Sequence, residues 1–264
     1  MVITKPGGTG ILALVIWGFK GVHQLDMFQV GVLLTSGVFC LFYILPYLQA
    51  LQIDDATLVV PLMQLAPLYI LFFSTFFLSE PLTPLQLMGF GLILISSLIL
   101  SAEKFSLKIF KLRKSFWLMS LAMLMYAGIG LLFRYVVREN DFWTTVFYQN
   151  LGALMASIPL GVYMYKKSNL AKNLLRHKPV LGFIFLSNII AAGAILSQSV
   201  ALTTTSAPRV YIIEGTQPII MLVMAVISSL WFPGIMKEDL AKETLGRKIF
   251  FSLIIFAGLF LIRS

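Results

Sequence analysis

The sequence predicts an all-α fold, a polytopic membrane bundle of about nine transmembrane helices built as two inverted repeats of a five-helix unit, the first repeat incomplete at its N-terminus. Three observations predict it. Of 264 residues, 59% are hydrophobic and only 12% charged, with a mean hydropathy of +0.92, whereas soluble domains carry about a quarter charged residues. Long apolar segments recur along the whole chain. One of them, with its neighbour, is repeated further on.

Crossing a hydrocarbon core of about 30 Å takes roughly 20 apolar residues in a helix. Segments of that kind lie near 28–50, 56–79, 84–102, 115–137, 141–165, 178–203, 207–232 and 247–263. A ninth, near 11–22, is shorter and ends at Lys20, and reads as the tail of a helix whose beginning is absent. Several starts carry their own chemistry. Thr83, Pro84 and Gln86 stand where a capping box with a first-turn proline needs them. Asp55, Asp141 and Ser206 each precede an apolar run as N-cap residues, and Glu80 reads as a loop carboxylate.

Residues 30–67 align without a gap on residues 181–218, at an offset of 151. The alignment pairs Gly31 with Gly182, Ser36 with Ser187, Ala50 with Ala201, Leu51 with Leu202, Ala56 with Ala207, Val59 with Val210 and Pro67 with Pro218. It also superposes the caps Asp55 and Ser206, and after an insertion around WFPGIMK, Glu238 takes the place of Glu80. The reading is therefore a first repeat over 1–105 with about four helices and a second over 106–264 with five. An odd number of helices per repeat sets the two in opposite orientation.

Charge gives the topology separately. Fifteen lysines and arginines fall in the loops of one side, including 103–114 and 166–178, against five on the other. The positive-inside rule places the loop 103–114 in the cytoplasm and the C-terminus outside. The net charge of +9 thus points to membrane lipids and away from nucleic acid. With a single cysteine, Cys40, and no clustered Cys and His, neither a disulfide nor a metal site is expected, and nothing calls for a cofactor. His23 and His177 fall in loops.

Glu214 lies deep in the segment 207–232 with apolar flanks on both sides. An ionisable residue there is a functional-site hypothesis, since a charge at mid-membrane costs several kcal/mol, about 2.5–3.5 on insertion scales. Gly215 and Pro218 weaken the helix beside it, and at helical spacing Tyr211, Glu214 and Gln217 share a face. Its counterpart in the first repeat is Met63, so the repeat does not explain Glu214 as scaffold. The structural alternative is a carboxyl group that stabilises the bundle, with Arg134 or Arg138 as partner, while Arg209 faces headgroups.

The repeated pattern of a helix ending in Ala-Leu (YLQALQ, SVALTT), a helix with an inner proline (PLMQLAPLYI, IIEGTQPIIM), a loop glutamate and a last helix resembles the EamA-type transporters of the drug/metabolite transporter superfamily. The resemblance covers essentially the whole chain and implies a ten-helix carrier, here apparently lacking its first helix. It implies a secondary transporter that moves a small metabolite or toxic compound by alternating access through a cavity lined by the third and fourth helices of each half. That adds Gln64, Gln198, Asn188 and Gln49 to Tyr211, Glu214 and Gln217 as substrate-binding candidates, with Glu214 also the proton-coupling candidate. It also implies residence in the cell inner (plasma) membrane. Rival readings are a truncated, non-transporting remnant or partner and an intramembrane enzyme, for which no nucleophile with a base, HExxH or paired membrane aspartates are present.

Overall fold

The computed structural model describes residue 18 and residues 21–54, 56–101, 113–167, 178–231 and 242–263. These form α1 (Met27–Phe42), α2 (Ile44–Ile53), α3 (Ala56–Val59), a 3₁₀ turn Val60–Gln64, α4 (Leu65–Phe73), a π turn Ser74–Leu78, α5 (Pro84–Ser101), α6 (Lys114–Val137) and α7 (Phe142–Lys167). After them come α8 (Lys178–Thr204), α9 (Ala207–Ile212), a second 3₁₀ turn Ile213–Thr216, α10 (Gln217–Trp231) and α11 (Lys242–Arg263). No strand occurs among the described residues. All eight long apolar segments are helical. The segment 11–22 (apart from residues 18, 21 and 22), the cap at Asp55, most of the loop 103–114, His177 and most of the insertion with Glu238 lie outside the described residues.

Among the described residues, Met27–Ile53, Val60–Leu78 and Lys114–Val137 are long and apolar enough to cross a membrane, and Pro84–Leu100, Ile189–Thr204 and Lys248–Ile262 are shorter apolar helices. Large apolar side chains such as Phe72, Phe77, Ile190, Met224 and Phe260 stand exposed, as lipid-facing surfaces do when tails rather than water are the solvent.

Prolines set the helix breaks. A proline at position i leaves the carbonyl of i−4 without its helical donor and crowds it. Pro46 does this to Phe42, and α1 ends there at Tyr43, whose N–H still reaches Phe39 O at 3.1 Å. Pro67 does it to Met63, inside the 3₁₀ turn Val60–Gln64. Pro218 does it to Glu214, and the second 3₁₀ turn follows, with the N–H of Gln217 taking the Glu214 carbonyl instead.

The chain forms two compact units, residues 1–46 with 125–205 and residues 47–124 with 206–264. Neither is a sequence repeat: each draws helices from both. In the first, α1 packs on α7 at glycines, since a Cβ on Gly37 would meet Gln149 O and one on Gly152 would meet Leu34 O. Close backbones and polar cross-links hold such helices together where no hydrophobic effect drives them. Gln149 donates to Ser36 Oγ (2.8 Å), and Ser36 donates to Ile129 O (3.0 Å), so α1, α6 and α7 share one buried link. Arg134 Nη1 donates to Leu202 O at 2.6 Å and Thr203 O at 3.3 Å, satisfying carbonyls at the C-terminal end of α8. Asp26 caps α1 through Phe28 N, and Asp141 caps α7 through Thr144 N at 2.9 Å, the latter as the sequence leads one to expect.

In the second unit α5 lies against α11, again at glycines: a Cβ on Gly89 would come within 2.6 Å of Gly258 O. Phe90, Ile93, Ile212, Ile255 and Ile262 form the core around that contact. The capping box is present, with Thr83 N–H donating to Gln86 Oε1 (3.1 Å) and Gln86 N–H to Thr83 Oγ1 (3.3 Å). Asp54 accepts from Ser115 Oγ and pairs with Arg113 at 3.4 Å, tying the end of α2 to the start of α6.

Candidate functional site: a broken membrane helix carrying a carboxylate

The apolar run 207–231 is one stretch in sequence and three pieces in structure, α9, a 3₁₀ turn and α10. The turn forms where glycine and proline lower the cost of leaving the α conformation. Glu214 sits within it, half-buried, and it engages neighbouring groups. Gly215, buried, lies against α5, where an added Cβ would be 2.5 Å from Ile93 Cγ2, 3.5 Å from Ser97 Oγ and 3.9 Å from Gln64 Oε1. A side chain there would force Ile93 to shift. The Gly215 carbonyl accepts a buried hydrogen bond from Ser97 Oγ at 2.5 Å. Thr216 Oγ1 turns back to Ile213 O at 2.7 Å.

The structure thus brings Gln64, 7% exposed, beside the turn that bears Glu214. Gln64 and Gly215 are equivalent positions at the repeat offset, so the two interrupted helices meet at their breaks. Unwound backbone at membrane depth is found where it is packed in protein or lines a wet cavity, and in transporters it marks the binding region.

The stripe of Tyr211, Glu214 and Gln217 does not share one environment. Tyr211 is 1% exposed, Glu214 half-buried and Gln217 exposed, because the 3₁₀ turn changes the pitch between the two helical pieces. Gln49, on α2 of the same unit, is exposed. Gln198, half-buried, and Asn188, whose side chain is outside the described set, belong to α8 in the other unit.

One cap differs from the sequence expectation, and its surroundings add to it. Ser206 has the extended backbone of an N-cap, but its side chain makes no capping bond. Glu80 lies in the loop as expected, and from there its Oε2 accepts from Ala207 N–H at 2.9 Å, so this loop carboxylate also caps the start of α9. Arg209 is half-buried, and its Nε is buried without a hydrogen-bond partner. Ser97 escaped sequence reasoning altogether. A lone serine pair in a leucine-rich helix carries no pattern, and its partner is a carbonyl 118 residues away.

These features define a class, a multi-pass helical membrane protein made of two related halves, each with a spanning helix interrupted at an equivalent proline. The model of the EamA-like transporter family matches residues 7–102 and 113–264. The chain belongs to the EamA-like transporter family. It is also similar to a crystal structure of a protein 15% identical in sequence, with a TM-score of 0.65 over 99% of this chain and 88% of that one, a likeness that bears on the fold alone. No curated protein matches the chain.

Proposed function

We propose that this protein is a secondary carrier of a small metabolite or toxic compound, cycling by alternating access through a central cavity between two inverted repeats. The single observation that carries the reading is a carboxyl group on an unwound turn inside an apolar helix, with Gln64 and Ser97 packed at the same break. Glu214 takes up a proton or pairs with a cationic group of the substrate, because a bare charge in that setting is costly and a proton or a cation relieves the cost. Gln64, and Gln217 on the exposed side of the turn, supply donors and acceptors that orient the ligand. Tyr211, packed in the interior, contributes through the shape of the turn. Gln49, Gln198 and Asn188 are further substrate-binding candidates.

The fifteen-to-five division of basic residues supports an inner-membrane protein with the loop 103–114 in the cytoplasm. Membrane lipids and a small-molecule substrate are its partners, and the chemistry is that of a carrier rather than an enzyme. A thermal-shift screen of the purified protein against amino acids, nucleobases and amines identifies the ligand class. Uptake of the stabilising compound into proteoliposomes, compared between wild type and Glu214→Gln, then tests the role of Glu214. The expected result is loss of pH-dependent flux with the protein still folded; silence of the whole screen argues against a carrier.

A further inference from the structure

The first turn of α9 is closed in an unusual way. A helix begins with four N–H groups that lack internal partners. Of those of Ser206, Ala207, Pro208 and Arg209, Pro208 has none to offer, Arg209 N–H bonds Ser206 O at 3.1 Å beside the ordinary helical bond from Val210 N–H at 3.2 Å, and Ala207 N–H is taken by Glu80 at 2.9 Å. Ser206, in the backbone conformation of a cap, leaves that role to a carboxylate 127 residues earlier.

The segment that delivers Glu80 is itself held at both ends. The π turn Ser74–Leu78 closes at Ser79, whose left-handed backbone (φ 53°) is the one positive φ of a non-glycine residue among those described. Glu80 N–H returns to Ser74 O at 3.2 Å. Three residues on, the Thr83–Gln86 box starts α5, the helix whose Ser97 bonds the Gly215 carbonyl. Glu80 therefore fixes the entry of the broken helix and Ser97 fixes its break, both from the first repeat.

We infer that Glu80 is a positioning residue for the Glu214 turn, a charge-assisted cap through which the first repeat sets the conformation of the interrupted helix of the second. Its carboxylate faces the positive end of the α9 backbone, where such bonds are strongest. The inference rests on the proposed role of Glu214 only for its functional consequence; the cap itself stands on geometry.

The test uses the full-length protein in detergent or nanodiscs. In Glu80→Ala, hydrogen exchange of peptides covering 206–212 is expected to speed up roughly tenfold or more. In Glu80→Gln, which keeps an acceptor oxygen at the same reach but loses the charge, exchange should fall between Glu80→Ala and wild type. The carboxyl infrared band of Glu214, assigned by its loss in Glu214→Gln, should shift its pH midpoint in Glu80→Ala and keep it in Glu80→Gln. Unchanged exchange in Glu80→Ala overturns the cap, and raised exchange with an unmoved Glu214 midpoint overturns the positioning role. Should Glu80→Ala not fold, Glu80→Asp, one methylene too short, must exchange faster than Glu80→Gln, and the reverse order overturns the inference. A Glu214→Gln protein that loses no titrating band counts against the carrier reading alone; exchange at 213–217 then decides the positioning, which is overturned if acceleration in Glu80→Ala stops at residue 212.

Discussion

The two interrupted helices are the same device with different contents. In the first, Pro67 strips the helical donor from Met63 and the 3₁₀ turn Val60–Gln64 results; in the second, Pro218 strips it from Glu214 and the turn Ile213–Thr216 results. Both breaks belong to the repeated scaffold, and they pack together through Gln64 and Gly215. Among the differences between them, the one that changes ionisable chemistry is a thioether, Met63, where the other has a carboxyl group, Glu214. A break is thus common to both halves, and only the second carries an ionisable side chain at the position of Met63.

That comparison can be broken at several points, and the largest effect is expected outside the site. A Cβ on Gly37 meets backbone atoms of Gln149 and Ala153, which cannot swing away. Gly37→Ala should therefore cost at least the top of the usual range for overpacking, about 3 kcal/mol, read as thermal unfolding in detergent. Gly215→Ala meets a side chain, Ile93 Cγ2, and should cost less, about 1–3 kcal/mol. Combined with Ile93→Ala, which removes Cγ2, it should cost less than the sum of the two single changes, a coupling that Gly37→Ala, blocked by backbone atoms, cannot show with any one side chain. Ser97→Ala removes the donor to a buried carbonyl and should destabilise by about 1–3 kcal/mol. The smallest effects compare two caps that look alike in sequence. Thr83→Ala should cost about 1 kcal/mol, while Ser206→Ala should stay within about 0.5 kcal/mol, because its hydroxyl makes no capping bond.

Much of this fold was legible in the sequence because lipid imposes a strong length and hydropathy rule. The eight long segments and their proline breaks are local properties, and so is the Thr83–Gln86 box, whose partners are three residues apart. The site was legible in part. An intramembrane glutamate beside glycine and proline announces itself, and the Met63 comparison singles it out. What stayed hidden depends on contacts across the chain. Glu80 reaching Ala207 and Ser97 reaching Gly215 link residues more than 100 positions apart, and no periodicity marks such pairs. The burial of Tyr211 and exposure of Gln217 escaped because helical spacing assumes one pitch, and the turn between them has another.

The proposed role of Glu214 rests on its asymmetry with Met63. Its most direct test is uptake of a thermal-shift-identified substrate into proteoliposomes across a pH series, run side by side for wild type, Glu214→Gln and Met63→Gln. Loss of pH-dependent uptake in Glu214→Gln alone, with Met63→Gln retaining the wild-type profile, is the predicted result. An unchanged profile in Glu214→Gln, or equal losses in both variants, would contradict it.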